Sequence, residues 1–138
     1  MGWISEHLFD EDLVLVVEDE TFIGRVKPFS YVVRGRSWVN NHAHVLRPLG
    51  GMSAEYLNLC LHRYDFVPLT SGTTNRRKLT QPGLLDAEFM LAPMAEQRRI
   101  VARVEERRRL CADLRQRLTQ ARETQSRLAD ALVAESAR

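Results

Sequence analysis

The amino-acid sequence predicts an α+β fold: a partial, mixed or antiparallel β domain over residues 1–92, followed by one long coiled-coil α-helix over residues 93–138. Three observations predict it. Glycine and proline punctuate the chain as far as Pro93, and neither occurs from Met94 to Arg138. Upstream of that break, short runs of β-branched and aromatic residues alternate with turn-like residues. Downstream, apolar residues recur in alternating three- and four-residue steps.

The upstream runs are Leu13 to Val17, Phe22 to Val26, Tyr31 to Val33, Trp38 to Val39 and Ala43 to Leu46. Glu18-Asp19-Glu20, Pro28, Gly35 and Asn40-Asn41 separate them, a spacing that predicts an antiparallel meander rather than alternating βαβ units. Pro48-Leu49-Gly50-Gly51 is a turn by composition. Ser53 then caps a helix running to His62, with Tyr56, Leu57, Cys60 and Leu61 on its apolar face. The stretch from Thr70 to Lys78 has no periodicity and ends in three consecutive bases, which predicts an exposed loop. Leu84, Leu85, Phe89, Met90 and Leu91 supply a last apolar segment before Pro93.

In the carboxyl-terminal third, Ile100, Val104, Cys111, Leu114, Leu118, Ala121, Leu128 and Leu132 form a heptad seam. The same register puts Arg107, Gln125 and Glu135 on it, and polar seam residues fix register or orientation at some cost in stability. Pro93 suits a first helical position, and Glu96 lies where the helix dipole favours a carboxylate. At about 1.5 Å per residue the segment makes a rod of roughly 67 Å. Its stripe exceeds what the upstream part can cover, so a partner helix is expected, and this chain supplies no second one.

Of the 138 residues, 44% are hydrophobic and 28% charged, a balance that excludes wholesale disorder and a collagen-like fibre. Two cysteines, Cys60 and Cys111, exclude a disulfide-dense scaffold. No run of apolar residues is long enough to span a membrane, and Met1 to Asp10 has neither the basic flank nor the apolar core of a signal peptide. A cytoplasmic location without membrane contact is the expectation.

The net charge of +2 hides a segregation. Glu6, Asp10, Glu11, Asp12, Glu18, Asp19 and Glu20 fall in the first 20 residues, which hold no Lys or Arg. Residues 21–80 carry Arg25, Lys27, Arg34, Arg36, Arg47, Arg63, Arg76, Arg77 and Lys78 against only Glu55 and Asp65. This is either a solvated surface of varying sign or a face for a polyanion.

Two constellations bear on that choice. Arg34, Arg36, Asn40, Asn41 and His42 combine the residue types that read guanine and adenine edges and contact phosphate, while the asparagines equally suit a chain turn. In the stretch from Ser71 to Lys78, Gly72 permits close backbone approach, and Thr73, Thr74, Asn75, Arg76, Arg77 and Lys78 offer donors to phosphate oxygens. His42 and His44, two apart on a strand, share a face that a metal could use, with Cys60 and His62 as further donors. The alternative is a pair of hydrogen-bonded histidines, and two residues on a helix diverge by about 200°. No nucleophile elbow, phosphate loop or dinucleotide fingerprint occurs, so no catalytic residue, metal or cofactor is assigned.

Taken together, Phe22-Ile23-Gly24-Arg25-Val26, then Trp38-Val39-Asn40-Asn41-His42-Ala43-His44-Val45-Leu46, a helix, Ser71-Gly72-Thr73, and Pro93-Met94-Ala95-Glu96-Gln97 ahead of Ile100-Val101 form a recognisable succession. It resembles the specificity subunit of type I restriction-modification systems, at the later part of a target-recognition domain running into its coiled-coil helix. The resemblance runs from about Leu13 to Leu132. It implies a subunit that reads half of a split double-stranded DNA target and does no chemistry. Its expected partners are methyltransferase subunits, which bind S-adenosylmethionine themselves and flip the target adenine, and a restriction subunit. Members of the family carry two recognition domains and two long helices; this chain has one helix, and Ala92 stands where a second proline is usual. A carboxyl-terminal fragment fits that departure, as does a half-sized subunit pairing with a second copy or with a separately encoded remainder. A truncated assembly module, pairing without reading DNA, is the alternative of a different class, and a metal-dependent nuclease built on His42 and His44 is a third.

Overall fold

A computed structural model describes residues 6–20, 22–72 and 77–136. The chain divides into two compact units, Met1–Val101 and Ala102–Arg138. The class is α+β, as the sequence predicts: small antiparallel sheets, short helices and a long carboxyl-terminal helix.

The first unit is organised around β2 (Leu13–Val17), whose first four residues are buried. It pairs antiparallel with β4 (Ser30–Val33) on one side, Leu13 opposite Val33, and with β6 (Ala43–Leu46) on the other, Val14 opposite Leu46. The order β4-β2-β6 corrects the expected meander: the strand with the longest apolar run takes the centre, where both edges and both faces are covered. A second pair joins β1 (Phe9–Asp10) to β5 (Arg36–Ser37). A third sheet joins β3 (Asp19–Glu20), β8 (Arg77–Leu79) and β7 (Thr70–Ser71) in that order.

Helix α1 (Ala54–Leu61) packs on β4 and β2. It begins where the sequence places it, because the Ser53 hydroxyl accepts the Tyr56 N–H at 3.2 Å. Tyr56, Leu57 and Leu61 are buried and Cys60 is half-buried, where burial raises its thiol pKa. The core gathers Val14, Val16, Phe22, Leu57, Leu61, Phe66 and Leu79. Phe29 stacks on Phe22 with ring centroids 5.4 Å apart and meets Phe66 edge-on at 5.5 Å. Full burial of a side chain such as Phe66 contributes about 1.5–3 kcal/mol. One polar tie is sealed within: the Ser30 hydroxyl donates to Asn58 Oδ1 at 2.9 Å, joining β4 to α1.

Four local expectations need correction. Phe22 to Val26 is a turn, with only Phe22 buried and Val26 81% exposed. Gly24 takes a φ of 69°, and the Arg25 guanidinium closes the loop on the carbonyls of Lys27 and Pro28. Trp38 and Val39 are not a strand: Gly35, at φ 65°, turns the chain after β4, and the two-residue pairing falls on Arg36–Ser37. Asp19 and Glu20 form β3 instead of a turn, opposite Lys78 and Arg77. Within the expected loop from Thr70 to Lys78 the described ends are paired strands, Thr70 opposite Leu79 and Ser71 opposite Lys78, while residues 73–76 lie outside the described residues.

After β8, Thr80 caps α2 (Gln81–Leu85) by accepting the Gly83 N–H at 3.3 Å. Gly83 is required there, since a Cβ would collide with the Leu69 carbonyl. Leu84 alone of the last apolar segment is buried, and Met90 is 93% exposed. The segment is held by its backbone instead. The Glu88 N–H donates to the Tyr64 hydroxyl at 3.0 Å, and the Ala92 N–H donates to the Tyr56 hydroxyl at 3.1 Å. Helix α3 (Met94–Ser136) follows. In its first turn Glu96 pairs with Arg99 at 2.8 Å, and Gln97, 3% exposed, donates from Nε2 to the Ala92 carbonyl at 2.8 Å. These bonds give the Pro93-Met94-Ala95-Glu96-Gln97 junction its physical content: a helix start whose Gln97 side chain bonds back to the strap that precedes it.

In the second unit, α3 continues without interruption, and Leu114, Leu118, Leu128 and Leu132 lie exposed along it. Ala121 and Ala129 beside Leu128 leave a shallow apolar trough on the helix surface. Arg117 with Asp113 at 2.9 Å, and Arg108 with Glu105 at 3.0 Å, lace the polar positions.

Candidate nucleic-acid interface

Of the nine bases that the sequence offers to a polyanion, four are ion-paired in the fold with acids of the amino-terminal segment. Arg36 lies opposite Asp10 in the β1–β5 pair, with Nε 3.4 Å from Oδ2. Arg34, one residue past β4, reaches Glu55 on α1 and lies 3.6 Å from Asp12. Arg47, one residue past β6, grips Glu11 through Nε at 2.7 Å and Nη2 at 2.6 Å, a two-pronged guanidinium–carboxylate pair. Lys78 meets Glu18 at 2.8 Å.

The strand register explains the convergence. Arg34 and Arg47 follow strands that pair with opposite edges of β2, and the acids at residues 10–12 lead directly into β2. Arg47 lowers the Glu11 carboxyl pKa chiefly by its hydrogen bonds, against an opposing effect of desolvation, with the charge of Arg47 adding a smaller lowering. Glu55 is lowered by its own backbone N–H first, then by Arg34 and Ser53, again against burial.

Arg77 faces inward along the hairpin: Nε donates to the Thr70 hydroxyl at 2.6 Å and Nη2 to the Thr70 carbonyl at 2.9 Å. Ser71, Gly72 and Lys78 are exposed at the described part of the hairpin, while Thr73, Thr74, Asn75 and Arg76 lie outside the described residues. Asn40, Asn41 and His42 are exposed. Asn40 Oδ1 accepts the His42 N–H at 3.2 Å, so this side chain serves the turn. His44 is half-buried, its Nε2 2.6 Å from the Leu79 carbonyl oxygen. Cys60 lies on α1 and His62 is its carboxyl-terminal cap. Among the described residues, no three His, Cys, Asp or Glu side chains are grouped as metal ligands.

Arg47 carries the best-formed ion pair here, yet as one base among nine it does not stand out in the sequence. The signal that points to it is the run Asp10-Glu11-Asp12 immediately ahead of an apolar strand, which calls for cations at the ends of the neighbouring strands.

No protein-family profile matches the chain, and no solved structure matches it. The chain is similar to a Haemophilus influenzae protein named as a type I restriction enzyme specificity subunit, with 26% identity over 102 residues. The match covers 72% of this chain and 25% of that protein, so the chain spans about a quarter of the length of the curated relative it matches. Among the described residues no helix is long and apolar enough to cross a membrane.

Proposed function

We propose that this chain is a non-catalytic DNA-specificity component of a type I restriction-modification complex. In this reading residues 1–92 read part of a split double-stranded DNA target and docking of methyltransferase subunits involves the long helix. The restriction subunit joins that assembly, and S-adenosylmethionine belongs to the methyltransferase. The helix over residues 93–138 pairs through Ile100, Val104, Cys111, Leu114, Leu118, Ala121, Leu128 and Leu132 with a second copy or with the remaining part of the subunit. The contacts to DNA are assigned to two regions, Arg34 to His42 and Ser71 to Lys78.

The observation that carries the reading is the similarity over 102 residues to a protein named as a specificity subunit. The exposed leucines along α3 support it, since a solvent-facing apolar stripe on one helix calls for a second helix. The test is co-expression with a type I methyltransferase subunit of the same genome, followed by pull-down and a plasmid-protection assay. Co-purification with protection, and methylated adenines at a defined split sequence, is the expected result. Absence of association rejects the reading.

A second reading is favoured by one observation. Because Arg34, Arg36, Arg47 and Lys78 are each ion-paired, the chain also fits an assembly module that pairs through its helix without reading DNA. Co-purification without protection is its signature.

A further inference from the structure

Arg34 and Arg36 after β4 and Arg47 after β6 meet three consecutive acids at one end of the central sheet. Arg36 meets Asp10, Arg47 meets Glu11 and Arg34 meets Asp12. β4 and β6 are separated by two strand spacings, about 10 Å, with the 10–12 segment leading into the strand between them. Without these acids Arg36 and Arg47 would present uncompensated positive charges, while Arg34 would keep its ion pair with Glu55 on α1. Without the arginines, the acids would repel one another across adjacent residues.

The pairs face solvent: the side chains of Arg34, Arg36 and Arg47 are 60%, 74% and 59% exposed. Exposed pairs of this kind are weak and screened by salt, so a denser polyanion can compete for the same guanidinium groups. The carboxylates are nonetheless held in place by strand pairing. Leu8 N–H donates to the Ser37 carbonyl at 3.0 Å, and Asp10 sits in register with Arg36. A phosphate that takes one of these arginines must displace an acid whose backbone does not move away.

We infer that Asp10, Glu11 and Asp12 form an internal acidic clasp that competes with nucleic-acid phosphates for Arg36, Arg47 and Arg34 and so holds down non-specific DNA binding. The inference rests on the DNA-binding reading above and concerns the regulation of that same surface. Non-specific affinity is the electrostatic, sequence-independent part of DNA binding, and lowering it raises the ratio of specific to non-specific binding.

The test measures binding of the full chain to a random-sequence duplex by fluorescence anisotropy over a range of salt. In the Asp10→Asn/Glu11→Gln/Asp12→Asn variant, affinity at low salt is expected to rise at least about tenfold. The salt dependence steepens by about 0.9 in log–log slope for each arginine that gains a phosphate. Adding Arg34→Gln/Arg36→Gln/Arg47→Gln in that background should remove the gain. The control Glu88→Gln/Glu123→Gln/Asp130→Asn changes net charge equally away from the clasp and off the helix seam, and an equal gain there overturns the inference in favour of bulk charge. Binding by the unaltered chain with no change in the clasp variant overturns the inference alone. Binding by neither overturns it together with the DNA-binding reading. Should the triple variant unfold, Glu11→Gln releases Arg47 alone; a single step of about 0.9 in slope supports the clasp, and an unchanged slope overturns it.

Discussion

His44 Nε2 lies 2.6 Å from the carbonyl oxygen of Leu79, a hydrogen bond that ties β6 of the central sheet to β8 of the β3-β8-β7 sheet. A carbonyl can only accept, so the proton of the neutral ring is on Nε2. The two sheets are otherwise joined at this point by the Leu79 N–H, which donates to the Glu18 carbonyl at 3.0 Å. His44→Phe keeps the bulk of the ring and strands the carbonyl. Thermal or urea unfolding of this variant should show a loss of about 1–3 kcal/mol. A loss no greater than that of an exposed substitution such as His42→Phe would refute the role of the bond.

Stability should fall at acid pH through two carboxylates. Glu11 is lowered chiefly by its hydrogen bonds from Arg47, and Glu55 chiefly by its own backbone N–H with Arg34 adding to it. A group whose pKa is lower folded than unfolded stabilises the fold above its unfolded value and loses that contribution as pH falls through the folded one. The melting temperature is therefore expected to be flat above about pH 5.5 and to decline below about pH 4.5, the ordinary carboxylate range. In Glu11→Gln/Glu55→Gln the decline should be shallower. An identical acid profile in that variant would show that other groups carry it.

Gln97 donates to the Ala92 carbonyl from a buried position, and its Oε1 is buried with no hydrogen-bond partner. Gln97→Glu replaces the donor with a carboxylate facing a carbonyl, at a cost of about 2–3 kcal/mol at neutral pH. Gln97→Met removes both polar atoms and should cost distinctly less, because it also removes the unsatisfied oxygen. The comparison is read by chemical denaturation, and equal losses for the two variants would mean that packing rather than the bond decides.

Leu114→Lys/Leu118→Glu places charges on two adjacent seam positions. Both leucines are already exposed within the chain, so the cost falls on assembly. Sedimentation equilibrium should show the unaltered chain associating and the variant monomeric. Cys111, exposed on the same seam, provides a second readout: its alkylation should be slowed by association and not in the variant. A monomer in both cases would rule out pairing with a second copy and leave the remaining part of the subunit as the helix partner.

The parts of this fold legible in the sequence are those fixed by local pattern. The run Leu13 to Val17, the Ser53 cap and the stretch free of glycine and proline after Pro93 each specify an element from neighbouring residues alone. What was not legible depends on a distant partner. Asp19 and Glu20 have no strand pattern of their own and become β3 only because β8 lies beside them. Trp38 and Val39 carry β-forming side chains, yet Gly35 places the pairing on Arg36 and Ser37.

The candidate site shows the same division. Summing charge over residues 21–80 suggests a strongly basic face because it leaves out the acids of the first 20 residues, which the register of β1 and β2 brings alongside. Asn40 was legible as a turn residue, since its bond to the His42 N–H is local. Arg77 was not legible as a structural residue, since its partners on Thr70 are set by the hairpin.

The position of β2 has a kinetic consequence. Its apolar run is synthesised before β4 and β6, which cover its two edges, and its pairing with β6 closes only after Leu46 has left the ribosome. This buried apolar strand thus waits for its last neighbour with a hydrogen-bonding edge open to other chains. The Glu11–Arg47 pair spans 36 residues and closes late for the same reason. During that interval the acids ahead of β2 bear uncompensated like charge, a feature that resists strand addition between nascent chains until the native neighbours arrive.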